Sequence, residues 1–252
     1  MSIRLCKYLA DAGLCSRRQA SRLIEQRRVQ LNGTLASHIS HVSSGDQVLI
    51  DGQPLPLAEP KQVWLYHKAV GVDCNLTPHK PDSLYHLLHS LPVRLHPVGR
   101  LDKDSCGLLL LTNDGELTQR LLHPDFDHPK EYLVHTEPAP VAEQLVALAA
   151  GVRWQVGPYQ YQSKPCQVRL TERGFRIELT QGLNRQIRYM CRSVGLKVVF
   201  LQRQSLGDVQ LGTLAEGHWR LLSQSDYHNL RLSLGLSATP TDTAAAADSA
   251  QA

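Results

Sequence analysis

Hydrophobic positions recur along the chain at helical spacing in some stretches and alternate in others, and the changes of period mark its elements. Ile3, Cys6, Leu9 and Ala10 fall on one helical face and Gly13 offers a stop, which predicts a short helix over 3–12. Ser16 is a good N-cap for the next segment, SRRQASRLIEQRR, with Ala20, Leu23 and Ile24 inward. VQLNGTLASH follows, and its Asn32-Gly33 pair signals a hairpin turn; GDQVLIDGQPL adds a short strand and an Asp-Gly turn. From Val63 onward VWLYHK predicts a strand and LLLLT a buried one. NDGELTQRLLH predicts a turn and a helix with Leu117, Leu121 and Leu122 inward. KEYLVHT, CQVRLTERGFRIELTQG and KVVFLQRQSLGDVQL predict strands and hairpins. LNRQIRYMCRSVG predicts a helix with Ile187, Met190, Cys191 and Val194 on one side and Gly195 as its stop. Strands and helices without regular βαβ alternation point to an α/β chain of the α+β type, with a mixed, mostly antiparallel sheet flanked by helices.

Composition divides this pattern. QPLPLAEPK, residues 53–61, holds three prolines in nine positions and reads as a linker. SATPTDTAAAADSAQA is poor in apolar bulk and reads as a disordered tail. The expected organisation is a small domain over 1–58, a larger one over 62–232 and a tail over 236–252, with no internal repeat. At 252 residues, 42% hydrophobic, the chain is long enough for two cores.

Charge adds a partner. The chain has 27 Lys plus Arg against 23 Asp plus Glu. Residues 1–58 hold seven of the cations and only four acids, so most of the excess lies there. Arg17, Arg18 and Arg22 fall away from the apolar face of one helix. A solvated helix surface has the same look, but clustering on one face favours contact with a phosphate backbone. No apolar run is long enough to span a membrane, and the charged N-terminus reads as no export signal, so a cytoplasmic protein is expected. The six cysteines form no C-x-x-C pair, which argues against a zinc site and for buried free thiols; Cys106 is the one near other reactive groups. Neither a G-x-G-x-x-G after a strand nor a Walker motif is present, so no nucleotide cofactor is indicated.

HPVGRLDKDSCGLLLLTNDGEL, residues 96–117, sets Arg100, Asp102, Lys103 and Asp104 directly before a run of leucines. Charges at the edge of a core are costly unless they are paired and used. Here the chain resembles a known family. GRLDKDSCGLLLLTNDGEL looks like the G-R-L-D signature of pseudouridine synthases. KEYLV matches the family's tyrosine element, and QGLNRQIRYM its third motif. RLCKYLADAGLCSRRQASRLIEQRRVQLNG resembles the S4 RNA-binding domain in its order of motifs. Together they are similar to the RsuA type, leaning toward its large-subunit rRNA (RluF-like) branch, over roughly residues 3–223. One departure is Lys68-Ala69-Val70-Gly71, where the family usually has Lys-Pro-x-Gly.

The resemblance implies an enzyme that isomerises a uridine in RNA without cofactor or metal, acting as a monomer. Ribosomal RNA, 23S first, is the expected substrate, with tRNA or 16S rRNA as alternatives. It makes Asp102 the catalytic carboxylate, Tyr132 a stacking or proton-transfer group, and Arg188 the two-point partner of Asp102. Without the motif, Tyr132 would read as core filling. Arg100, Lys130, Asn184 and Arg185, all in matched motifs, become RNA contacts beside Arg17, Arg18 and Arg22. Two other readings remain at this point. One is a glycosidic hydrolase pairing Asp102 with Asp104 or Glu116. The other is an S4-type RNA-binding protein without catalysis.

Overall fold

The computed structural model describes residues 2–56 and 59–237. The expected tail therefore lies, beyond Leu236 and Ser237, outside the described residues. In chain order the N-terminal elements are β1 (Ile3–Arg4), α1 (Leu5–Asp11), α2 (Arg17–Glu25), β2 (Val29–Leu31), β3 (Thr34–Leu35), β4 (His41–Val42), β5 (Val48–Ile50) and β6 (Gln53–Pro54). The elements after the linker are β7 (Val63–Lys68), α3 (Leu84–Ser90), β8 (His96–Pro97), β9 (Cys106–Thr112), α4 (Gly115–Leu122), β10 (Lys130–Glu137), α5 (Ala142–Ala150), β11 (Arg153–Val156) and β12 (Tyr159–Gln162). They continue with β13 (Gln167–Thr171), β14 (Gly174–Leu179), α6 (Gln186–Ser193), β15 (Lys197–Arg203), β16 (Ser205–Leu206), β17 (Val209–Gln210), β18 (Trp219–Leu221) and α7 (Gln224–Ser233).

The N-terminal elements close their own core around Leu5, Leu9, Ala20, Ile24, Val29, Val42 and Val48. Helix α1 starts at Leu5 rather than Ile3, because Ile3 pairs with Val42 in a two-residue ladder. Ser16 caps α2 as expected: its hydroxyl accepts from the Gln19 N–H (3.2 Å), and the Gln19 side chain returns to the Ser16 N–H (2.9 Å). Asn32 and Gly33 both have positive φ (50° and 78°) in the β2–β3 turn. The proline-rich stretch is not all linker, since Gln53–Pro54 adds an edge strand beside β5. Its far end ties the two halves together: Lys61 Nζ donates to the carbonyls of Asp11 and Asn113, both at 3.1 Å.

The large sheet runs β13-β14-β10-β15-β9-β7-β18, with β8 beside β9, and only the β15–β9 pair is parallel. This is the mixed, mostly antiparallel sheet flanked by helices that the pattern predicts. Every residue of β9 is buried. Leu108 and Leu110 join the cluster that α4 and α7 cover with Leu117, Leu121, Tyr227 and Leu230. Leu109 and Leu111 join another, with Leu84 of α3. A strand covered on both faces has no polar side, which is why this one reads as continuous leucine. Leu122 departs from expectation: it lies past the covered face of α4 and is 40% exposed. Burial also varies among the cysteines: all six are free thiols, but Cys6 and Cys166 are only half-buried.

Gly107 is where β9 and β15 meet, with a φ of 108°. A Cβ there would lie 2.3 Å from the Arg203 carbonyl oxygen and 2.4 Å from its nitrogen. Both are backbone atoms, so neither can swing aside. Gly107→Ala should therefore destabilise the protein by about 3 kcal/mol, read from the shift of a chemical-denaturation midpoint. A loss below about 0.5 kcal/mol, the usual scale for surface changes, would contradict this close approach.

Candidate active site

The segment between β8 and β9 carries Asp102 on a tight turn, closed by Ser105 N–H donating to the Asp102 carbonyl at 3.1 Å. The strand pattern places the turn at the edge of the sheet, and two cations, the buried Lys68 and the partly buried Arg188, hold it there. Lys68, at the end of β7, is fully buried; its Nζ donates to the Ser105 carbonyl (2.7 Å) and to that of Ala69 (2.9 Å). Arg188 of α6 donates to the Asp104 carbonyl (2.7 Å) and the Ser105 hydroxyl (3.1 Å). Gly71 N–H donates to the Lys103 carbonyl (2.8 Å). Leu101 N–H reaches Cys74 Sγ at 3.5 Å, and Arg100 Nη1 donates to Asn75 Oδ1 at 3.1 Å. Every carbonyl from Asp102 to Ser105 thus has a partner. Ala69, which replaces the family's proline, leaves the Gly71 contact in place.

The Asp102 carboxylate is left a quarter exposed (26%), and its nearest cation is Arg185, with Nη1 3.8 Å from Oδ2. The expected two-point grip of Arg188 on Asp102 is not the arrangement found. Arg188 lies under the turn, where the Asp104 and Ser105 groups face it, and among the described residues its only carboxylate contact is with Asp104 Oδ1 at 3.2 Å. Arg185 holds Asp104 with both prongs, at 3.0 and 2.9 Å. It can do so because α6 begins at Gln186, three residues later than the pattern suggests. Arg185 is the N-cap, in left-handed conformation at φ 51°. Burial pushes the Asp104 carboxyl up, but the Arg185 hydrogen bond and the Arg188 and Arg185 charges outweigh it, so its pKa lies below the usual range. Lys68 goes the other way: burial lowers its pKa, opposed by charges that include Asp102 and Asp104.

Asp102 opens on a cleft of about 840 Å³. Arg100, Lys130, Tyr132, Asn184 and Arg185 line it too, so the structure brings together every site residue expected in the larger half except Arg188, which supports it from behind. Tyr132 lies on β10 opposite Arg203 of β15, packed in part against two core clusters. Lys130 Nζ donates to the carbonyls of His128 (2.9 Å) and Thr180 (3.2 Å), and burial and then the Arg203 charge lower its pKa. Arg17, Arg18 and Arg22 lie outside the cleft; all three are exposed on α2 and none has an ion pair among the described residues.

Two cations escaped the sequence reading. Lys68 and Arg203 are both buried, Arg203 in the cleft wall with Nε donating to the Leu108 carbonyl (2.7 Å) and Nη2 without a partner among the described residues. Each sits at an inward position of an alternating strand, after Trp64 and Tyr66 in one case and after Leu201 in the other. A charge at an inward position was the available signal. The rival acids are spent elsewhere: Asp104 on two arginines, and Glu116 on Lys7 (3.6 Å) and Arg231 (3.4 Å). Nor is Cys106 a ready nucleophile, since burial first and the Glu216 charge second push its thiol up to about 11. Asp73 and Asp127 also line the cleft, where they pair with Lys80 (3.8 Å) and Lys164 (2.9 Å); Asp102, a tyrosine and a ring of cations border a space suited to a planar, anionic-backbone ligand.

Residues 62–193 match the family described as RNA pseudouridylate synthase, and residues 3–48 match the S4 domain. The chain is 39% identical over 233 residues to the dual-specificity RNA pseudouridine synthase RluF of Escherichia coli K12, spanning 91% of this chain and 78% of that one. It is 32% identical over 236 residues to the ribosomal large subunit pseudouridine synthase B of Bacillus subtilis, spanning 90% and 95%. A crystal structure of a pseudouridylate synthase superposes with a TM-score of 0.64 at 30% identity, covering 90% of this chain and 99% of that one.

The Lys68 contacts can be tested without any substrate. Lys68→Met removes two charge-assisted hydrogen bonds but also a buried charge, so global stability should change little. The turn itself should loosen. Hydrogen exchange at the Gly71 and Ser105 amides should speed about tenfold or more, the value of one such bond. Unchanged protection at both amides would mean that Lys68 does not hold the turn.

Proposed function

The chain belongs to the RNA pseudouridylate synthase family and is an isomerase, and on that premise we propose that it converts a uridine of large-subunit ribosomal RNA to pseudouridine with Asp102 as the reacting carboxylate. The observation that carries the residue assignment is that Asp102 is the carboxylate of this turn that opens on the cation-lined cleft, on a turn whose carbonyls are all tied down. The large-subunit target is supported by the name of one relative, the ribosomal large subunit pseudouridine synthase B of Bacillus subtilis. Cytoplasmic location, action as a monomer and the division at 1–58 and 62–232 belong to the same proposal. Among the described residues no helix is long and apolar enough to cross a membrane.

Pseudouridine formation breaks the C1′–N1 bond, turns the base and joins C5 to C1′. A base within a duplex cannot reach the cleft, so the enzyme flips it or takes an unpaired loop, at a cost of a few kcal/mol. The fixed turn holds the carboxylate in place, so no reorganisation is needed when charge develops on the substrate. Tyr132 stacks on the flipped base or moves the proton at C5. Arg188 is a positioning residue: it grips the turn rather than the carboxylate. Arg100, Lys130, Asn184 and Arg185 hold the RNA at the cleft, and Arg17, Arg18 and Arg22 hold its backbone outside it.

One single-turnover experiment tests chemistry and binding separately, using ribosomal RNA and, as the alternative substrate, tRNA. Wild-type protein should form pseudouridine at one large-subunit position. Asp102→Asn should reduce conversion to background while RNA affinity stays within about threefold, since the amide keeps the side chain's size and loses its charge. Replacing Arg17, Arg18 and Arg22 together by Gln should weaken binding and flatten its salt dependence by about 0.7 per lost single-strand contact. The rate of RNA already bound should not change. Substantial conversion by Asp102→Asn would remove Asp102 from the mechanism, and release of free uracil would replace the synthase reading with a hydrolase. A triple variant with wild-type affinity would make the α2 face merely solvated.

A further inference from the structure

Three donor atoms of different chemistry converge beside the Asp102 turn, on the sheet face opposite Lys68. His67 is the next-to-last residue of β7, Cys106 begins β9 and Glu216 lies between β17 and β18. Their ring nitrogen, thiol sulfur and carboxylate oxygen all lie within 4.8 Å of one another. Strand parity explains two of them: His67 follows Val63 and Leu65, and Cys106 precedes Leu108 and Leu110, all four in one core cluster. Backbone pairing supplies the third. His67 N–H donates to the His218 carbonyl (3.0 Å) and Gly217 N–H to that of His67 (2.9 Å), which staples the Glu216 loop over the strand. Val70 N–H then steadies Glu216 Oε1 at 3.2 Å. The imidazole is already oriented: Nδ1 lies 2.7 Å from the Leu214 carbonyl and so carries the proton, leaving Nε2 as the nitrogen with the lone pair.

We propose that His67, Cys106 and Glu216 form a binding site for a zinc-class divalent cation, with water as its fourth ligand. A nitrogen, a sulfur and an oxygen make a donor set of borderline softness, and three protein ligands with one open position suit zinc. The histidine proton held by a backbone carbonyl is the usual outer partner of a metal-bound imidazole. His67 and Cys106 are buried while Glu216 is exposed, so an ion enters from the solvent side. Zinc bonds of about 2.0–2.3 Å require the donors to close in, and the exposed Glu216 side chain has the freedom to do so. The Gln202 amide nitrogen, now 3.1 Å from His67 Nε2, gives up that contact when the ion binds. No local spacing announces the site, because its ligands come from three distant segments. Those segments also carry the contacts of the Asp102 turn: His67 precedes Lys68, Cys106 follows Ser105, and Glu216 steadies Val70 beside Gly71. A bound ion therefore cross-links the supports of the turn and stiffens it.

The test is titration of metal-stripped full-length protein with cobalt(II), followed by competition with zinc. The expected result is one equivalent of cobalt with a thiolate-to-cobalt charge-transfer band and tetrahedral visible bands, both removed by zinc. Cys106→Ser should abolish the charge-transfer band. Glu216→Gln, a surface change that leaves the fold intact by circular dichroism, should weaken binding by about tenfold or more. Absence of the charge-transfer band, its survival in Cys106→Ser, or wild-type affinity in Glu216→Gln would each overturn the proposal. The Glu216 variant decides the matter even if Cys106→Ser fails to fold.

Discussion

A fully buried ammonium whose hydrogen-bond partners, among the described residues, are two carbonyl oxygens is an expensive thing to fold, and the candidate active site is arranged around one. Lys68 Nζ spans the Ala69 and Ser105 carbonyls from inside the sheet, and Arg188 takes the Asp104 carbonyl and the Ser105 hydroxyl from α6. Turn carbonyls at the edge of a core would otherwise face apolar surroundings unpaired. The cations meet that need and fix the turn's orientation. Asp102 can then project a charged carboxylate into the cleft without any strong ion pair of its own. The charge cluster before the leucine run follows from this: the leucines anchor one end of the turn in the core, and the charges satisfy the other.

The sheet serves the same constraint. β9 must pass through the centre of the sheet to bring the turn to its edge, so both of its faces are covered and its side chains are leucine. It must also approach β15 closely enough to pair in parallel, and Gly107 permits that approach. Strand β15 carries the buried Arg203 beside Tyr132, and Arg203 in turn donates to the Leu108 carbonyl. The N-terminal half is fastened to this frame through Lys61, which holds Asp11 of α1 and Asn113 before α4. Lys7 adds ion pairs to Asp11 (3.4 Å) and Glu116 (3.6 Å), which are partly exposed and contribute little alone. The basic face of α2 is thereby carried on the same body as the cleft.

Much of this was legible in the sequence, for identifiable reasons. Periodicity placed the strands β7, β9, β10 and β15, because burial imposes alternation or continuous apolar character. Ser16, Asn32-Gly33 and Gly195 marked their turns and caps through local chemistry alone. The cleft residues came from motif resemblance, since no spacing rule brings Asp102, Tyr132 and Arg185 together. The start of α6 was misjudged because Arg185 adopts a left-handed conformation that its residue type does not announce. The role of Arg188 was misplaced for a related reason: a guanidinium fork suits a carboxylate, but it also suits a turn carbonyl with a hydroxyl beside it. Lys68 and the His67–Cys106–Glu216 cluster depend on which strands are neighbours, and that is a property of topology.

In the proposed mechanism Arg188 acts on catalysis through the turn and not through charge near Asp102. Arg188→Lys keeps the charge and loses the planar fork. Single-turnover pseudouridine formation at saturating protein measures its effect directly. The expected rate is at least about tenfold lower, the worth of one charge-assisted hydrogen bond, with RNA affinity unchanged. A wild-type rate in this variant would contradict it.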